Sequence, residues 1–426
     1  MLLANMLQTA FNIIDMLFVG RLGPDAIAAV SMSGSIIHIV MTLVIGVDMG
    51  MRAMVARYYG AEDRATARRV AGQALLMGGV LTLLLASGGA LWRRDMLEVL
   101  GAQPEVVRLG GDYLLIFFGG VLGMVYMFFI SGILQSIGDA KTPMRVGALA
   151  FVANIALDPL LIFGWGPIPA YGVAGAAWAT ICSRGLAGAL LLAALFRHPE
   201  FSLALGDLRP DPGLIRRILR IALPGSLQIG CYSVSDVLST RLLAVFGTTA
   251  LAAYGVVNRS VMALMIVGFG LGGAAATLVG QNLGAGNPDR AERSVWIISG
   301  LYAGLLLVGT VFFYIYAPAL VGAFTRDAPT LALGVDCLRI FAYGFLLLPF
   351  NMIFGRALQG AGDTVSPLLI TAFCRLPLLL GLLYVLPRHT GWGIDGLWYG
   401  FLVALGAESL LKFAWFQRGT WKTRTV

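Results

Sequence analysis

Charge is what this chain has least of. Only 12% of its 426 residues are Asp, Glu, Lys or Arg, while 58% are hydrophobic; a soluble domain carries about a quarter charged residues. A soluble fold with an ordinary solvated surface is therefore excluded. Apolar runs recur along the whole sequence, and at about 20 residues each they are long enough to cross about 30 Å of hydrocarbon. That length also excludes a β-barrel, whose strands would alternate over about ten residues. Cysteine is scarce too. Cys182, Cys231, Cys337 and Cys374 are scattered, form no CxxC pair and read as small buried residues. The three histidines stand on distant segments without ligand spacing, and neither HExxH nor GxSxG occurs. The expectation is no enzyme, no catalytic residues and no cofactor. No Walker lysine follows the "GD" and "GAGN" loops, which argues against ATP as the energy source. The first apolar run contains an Asp and lacks a basic lead-in, which argues against a cleavable signal peptide.

The runs fall near 1–20, 27–52, 71–92, 110–136, 145–164, 172–195, 220–245, 250–281, 293–317, 333–359, 366–387 and 393–416. The reading is an all-α integral membrane protein with twelve transmembrane helices. The net charge of +8 then marks cytoplasmic loops, with no nucleic-acid partner implied. Roughly 17 basic residues fall on the loops of one side and roughly seven on the other, which places both termini in the cytoplasm. "GILQSIGDAKTP" (Gly132–Pro143) repeats as "RALQGAGDTVSP" (Arg356–Pro367) at an offset of 224. "YGVAGAAWA" repeats as "WGIDGLWYG" at an offset of 221. Each half holds six segments, so the repeat is parallel: 1–196 and 218–426 form two six-helix bundles, and 197–217 is a cytoplasmic linker. Paired parallel bundles point to an alternating-access transporter.

The chain resembles the multidrug and toxic compound extrusion (MATE) family of secondary transporters. The resemblance rests on "NIIDMLFVGRLGPDAIAAV", "LQSIGDAKTP", "NIALDPLLIFGWG", "GVAGAAWAT", "FGTTALAAYGVVNR", "VGQNLGAGNPDRA" and "LQGAGDTVSP", and spans nearly the whole sequence. It implies a V-shaped pair of bundles around a central cavity. It also implies export of amphipathic, often cationic small molecules in exchange for sodium ions or protons, by a monomer in the bacterial inner membrane. Family members carry a longer first helix, whereas about 19 residues precede Gly20 here; at barely a span, the resemblance implies a late start or a truncation.

Ionisable residues inside the membrane cost roughly 2.5–3.5 kcal/mol each on insertion scales and usually face a bundle interior. Asp15 and Asp158 fit that description. Asn154 lies one turn before Asp158 on the same face, and Pro159 follows, removing a backbone hydrogen bond. The resemblance assigns Asp15, Asn154, Asp158 and Thr180 to a cation-coupling site in the first bundle, which would ligate Na+ if coupling is to sodium. Gln8, two turns before Asp15, would be a neighbour; Phe11 replaces a tyrosine of some relatives. Ser239 and Leu382 stand at the repeat positions of Asp15 and Asp158, so the carboxylate pair belongs to one half alone.

Four residues are candidates for a substrate cavity: Gln8, Tyr232, Asp236 and Asn258. Asp236 reads equally as a cavity carboxylate or as a partner of Arg241 or a neighbouring helix. Asn258 and Arg259 read equally as cavity-facing or as bonded across helices. Asp48 and Arg52, four apart, read as a self-neutralising pair. His38 reads as a hydrogen-bonded packing residue. Met41, Met49, Met51, Met54, Met124 and Met127 read as core or lipid-facing residues. A lipid-linked saccharide flippase is the alternative function, but it would favour a strongly cationic cavity.

Overall fold

The computed structural model describes residues 15–424; among them an isolated bridge between Trp165 and Ile168 is the sole β feature. Helix α1 is seen over 15–19. The first repeat continues with α2 (Pro24–Gly60), α3 (Arg64–Val99), α4 (Pro104–Gly119), α5 (Val121–Ser136), α6 (Lys141–Phe163) and α7 (Val173–Phe196). The second runs through α8 (Pro212–Ala244), α9 (Thr248–Gly284), α10 (Pro288–Ile315), the short α11 (Ala317–Gly322), α12 (Ala328–Phe345) and α13 (Leu348–Gly360). It ends with α14 (Val365–Phe373), a π turn at Cys374–Leu378, α15 (Leu379–His389) and α16 (Asp395–Gln417).

Among the described residues, eight helical stretches are long and apolar enough to cross a bilayer, and the bent pairs α4/α5 (51°) and α12/α13 (49°) make ten. The two bends occupy equivalent places in the repeat, at Gly120 in one and just before Pro349 in the other, the residue types that usually kink helices. Of the other two expected spans, the first lies mostly outside the described residues. The seventh, α8, carries Gln228, Tyr232, Ser235, Asp236 and Ser239 through its apolar stretch. The spans also overshoot their apolar cores: α2 has 37 residues, about 55 Å at about 1.5 Å per residue.

Contacts divide the chain between Ala222 and Leu223, inside α8, into two compact units. The segment 197–217 is packed on the first of them. The Gln73 amide donates to the carbonyls of Asp207 (3.3 Å) and Arg209 (2.9 Å), and its oxygen accepts from the Asp211 amide at 2.9 Å. Arg69 pairs with Asp211 at 2.8 Å, and Phe201 and Leu203 are buried.

The repeat motif has a conformational cause. Gly138 (φ +99°) and Gly362 (φ +87°) take the left-handed conformation that ends a helix and suits glycine. The aspartate after each then caps the helix that follows. Asp139 accepts from the Lys141 and Thr142 amides at 3.0 Å, and Asp363 accepts from the Ser366 amide at 3.2 Å.

Elsewhere the two halves exchange size for charge. Arg52 donates from Nε to Asp48 (2.5 Å), as expected, and from Nη1 to Gln135 (2.7 Å). This pair fits because α5 has Gly132, whose absent Cβ would meet Asp48, Met51 and Arg52. At the repeat positions Asp48 becomes Gly272 and Gly132 becomes Arg356. Arg356 now fills the groove from the opposite helix, its Cγ 2.8 Å from where a Gly272 Cβ would stand, and donates to Gln359 at 3.3 Å.

Gly175 sets the approach of α7 to α6. A Cβ there would collide with the Leu161 carbonyl and lie 2.8 Å from the Ile162 amide nitrogen, backbone atoms that cannot turn aside. Gly175→Ala is therefore expected to destabilise the protein by about 1–3 kcal/mol. Thermal unfolding in detergent would measure this. Gly185→Ala, with open space at its Cβ, is the control expected to leave the melting temperature unchanged.

Candidate functional site

The close contact of α6 with α7 brings the first-half candidates into one unit interior. Asn154 and Asp158 are fully buried, and Asp15 and Thr180 nearly so. Helical spacing puts Asn154 and Asp158 on one face, where the Asn154 amide donates to Asp158 Oδ1 at 3.2 Å. α6 runs unbroken through Pro159. The charges of Asp15 and Asp158 act on one another.

The decisive feature is what these residues leave unsatisfied. Asp15 Oδ1, Asn154 Oδ1, Asp158 Oδ2 and Thr180 Oγ1 are each buried with no hydrogen-bond partner among the described residues. A buried polar atom without a partner costs about 1–3 kcal/mol. Each of the four expected residues supplies one such oxygen, and an oxygen-only set suits a hard cation or a proton.

Two residues of this cluster escaped the sequence reading. Arg184, buried on α7 one turn beyond Thr180, interacts electrostatically with Asp15, and buried Tyr113 of α4 with both acids and with Arg184. A lone arginine in the 24-residue apolar α7 was the available signal for the first. With both acids ionised, two carboxylates and one guanidinium leave the cluster one positive charge short of neutral.

The second unit holds a cluster that the sequence reading missed. Glu408 and Lys412, one turn apart on α16, are buried at 0% and 2% exposure and paired at 2.8 Å. Glu408 Oε1 also accepts from Tyr232 (2.6 Å) and Thr371 (2.9 Å), and Oε2 from Arg375 Nε (2.9 Å). Lys412 donates further to Asn351 Oδ1 (3.1 Å) and to the Tyr232 hydroxyl (3.2 Å). Gln228 and Gln359 extend the chain of bonds from Thr371, at 3.0 and 2.8 Å.

Both clusters draw on the same three helices of the repeat, in different registers. Tyr232 lies seven residues before Ser239, the mate of Asp15, and Arg375 seven before Leu382, the mate of Asp158. On α16, Glu408 and Lys412 lie seven residues after Phe401 and Leu405, the mates of Thr180 and Arg184. Because α16 runs opposite to the other two, all three shifts are in one direction, by about 10 Å at about 1.5 Å per residue.

The remaining candidates scatter over the molecule. Tyr232, a cavity candidate, is bonded into the Glu408 network. Asp236 is exposed and forms no ion pair with Arg241 or any other described residue, and its charge acts on Tyr254 of α9. Asn258 and Arg259 are exposed on α9 and make no cross-helix bond among the described residues. The His38 ring is exposed and has no hydrogen-bond partner among them. Cys182 is exposed and Cys231 half-buried, as polarizable small side chains tolerate lipid, whereas Cys337 and Cys374 are buried. Met41, Met49, Met51 and Met54 are core residues. Gln8 and Phe11 lie outside the described residues.

Comparison with known proteins gives a consistent result. The MatE family model matches residues 1–160 and 224–385. "Probable multidrug resistance protein YoeA" of Bacillus subtilis is 28% identical over 434 residues, covering all of this chain and 93% of that protein. A "FAD transporter" of Shewanella oneidensis is 30% identical, covering 94% of this chain and 88% of its own. A crystal structure of "MATE in the bent conformation" superposes with a TM-score of 0.92 at 25% identity, covering 98% of this chain and 92% of that one.

Proposed function

The chain belongs to the MatE family of membrane transporters, and from that premise we propose that it exports amphipathic small molecules, organic cations among them, in exchange for a sodium ion or a proton. Family membership makes it a transporter of small molecules and not an enzyme. The exchange ion and the charge of the cargo go beyond that: the relatives include both multidrug resistance proteins and a FAD transporter.

The observation that carries the proposal is the set of four buried, unpartnered oxygens on Asp15, Asn154, Asp158 and Thr180. Two carboxylates in a poorly solvated interior cannot both stay ionised cheaply. Arg184 relieves one of them, and one monovalent cation neutralises the remainder. Loading the site allows α1, α6 and α7 to pack more tightly, which we take to weaken cargo binding and drive release outward. Loss of the ion to the inside resets the cycle. In this reading the protein works as a monomer in a bacterial inner membrane with both termini cytoplasmic, and the segment 197–217 links the bundles 1–196 and 218–426. Asp236 and Asn258, both exposed, are the cargo contacts proposed in the second half.

Everted vesicles loaded with protein and given a fluorescent cationic dye provide the test. A sodium gradient and a pH gradient are imposed separately. Dye movement under one of them is expected, and it identifies the ion. No movement under either, with translocation of a lipid-linked saccharide instead, would overturn the proposal.

A further inference from the structure

The Glu408 cluster takes no part in the exchange just described, yet it places three ionised side chains in the interior of the second unit. Its hydrogen bonding is nearly closed. Glu408 accepts four bonds, three at Oε1 and one at Oε2, and Lys412 uses all three of its donors. Tyr232 both donates to Glu408 and accepts from Lys412. Two groups remain open. Arg375 spends only Nε on Glu408; its two terminal nitrogens have no hydrogen-bond partner among the described residues, and its side chain is 24% exposed. Asn351 Nδ2 is buried with no partner at all among them.

The charges do not balance either. Lys412 and Arg375 against Glu408 leave one positive charge uncompensated. The exposed carboxylate on the helix that carries Tyr232, Asp236, forms no ion pair with Arg375. Arg375 is also held in place. Its guanidinium lies over the Tyr232 ring, 5.0 Å from the centroid, and its own carbonyl accepts from Ser235 at 2.9 Å. It sits in the π turn Cys374–Leu378, an irregularity often found at functional sites. A guanidinium fixed on its Nε edge presents its two terminal nitrogens as a fork matched to a carboxylate or phosphate.

We propose that the second unit contains an oxyanion-binding site anchored by Arg375, which takes the carboxylate or phosphate group of a small amphipathic ligand. The first unit's cluster is short of one cation and the second unit's is short of one anion. This site stands apart from the exchange-ion proposal, since binding is measured on purified protein with no gradient, and failure of one leaves the other intact.

The probes are 1-naphthoate, 1-naphthyl phosphate and the neutral 1-naphthamide, titrated calorimetrically into the full-length protein in phosphatidylcholine nanodiscs. Wild-type protein is expected to bind the two anions at least about tenfold more tightly than the amide, as charge-assisted bonds to a fixed guanidinium are stronger than neutral ones. Arg375→Gln should erase that preference, and Arg375→Lys, which keeps the charge but not the fork, should keep part of it. Repeating the titration with phosphatidylglycerol in the disc separates two sources of the anion. A lipid headgroup occupant would weaken naphthoate binding and co-purify with wild type but not with Arg375→Gln; a soluble ligand would bind unchanged. Equal affinity for naphthoate and naphthamide in the wild type, which no folding defect can explain, would overturn the proposal. So would an undiminished preference in Arg375→Gln.

Discussion

Asp15→Asn is expected to cut ion-driven export by at least about a hundredfold while the protein stays in the membrane. The substitution keeps the shape of the side chain and removes its charge. The cluster then holds one carboxylate, Asp158, and one guanidinium, Arg184, and its charge count no longer calls for a cation. A hundredfold loss corresponds to about 2.8 kcal/mol of ion binding given up, since about 1.4 kcal/mol is tenfold. The same charge count makes a sharper prediction. Asp15→Asn combined with Arg184→Gln restores a single uncompensated carboxylate at Asp158, so part of the ion dependence should return. Dye efflux from everted vesicles, normalised to protein by immunoblot, reads both. Undiminished transport by Asp15→Asn would end the assignment of the site, and a double variant as dead as the single one would remove Arg184 from it.

Glu408→Ala is expected to be the most destabilising single change in the second unit, by about 3–5 kcal/mol. It strips Tyr232 and Thr371 of an acceptor and leaves the ammonium of Lys412 sealed beside the guanidinium of Arg375. Much of that loss is the penalty of an unpaired buried charge and not the net worth of the pair. Adding Lys412→Met, an apolar chain of similar length, should therefore recover more than half of it. Glu408→Gln keeps acceptors for Tyr232 and Thr371 and should fall between wild type and Glu408→Ala. Melting temperatures in detergent give the ranking. A double variant no more stable than Glu408→Ala would show that the cluster is held by its hydrogen bonds and not by its charges.

The acidic cluster of the first half was legible in the sequence because its carboxylates are conspicuous alone. Asp15 and Asp158 stand in apolar runs where a carboxylate is costly, and Asn154 and Asp158 are one helical turn apart, so their contact follows from α-helical geometry. The repeat, the helical class and the membrane setting were legible for a similar reason: they depend on local period and composition. Glu408 and Lys412 were equally visible as an i,i+4 pair. Their significance was not, because it depends on Tyr232, Asn351, Thr371 and Arg375, up to 180 residues away.

Sequence by itself thus determined an all-helical membrane protein built as a parallel repeat, with buried acids in its first half. Local periodicity and the cost of a lone charge in hydrocarbon suffice for that. Tertiary structure alone decided which charges meet across helices. It added Arg184 and Tyr113 to the acids, set Arg356 into the groove at Gly272, and gathered Arg375, Glu408 and Lys412 two turns away from the position the repeat would suggest. The reason is register. A shift of seven residues leaves each helix equally apolar and equally helical, and only the packing of one helix on the next distinguishes a charge with a partner from a charge without one.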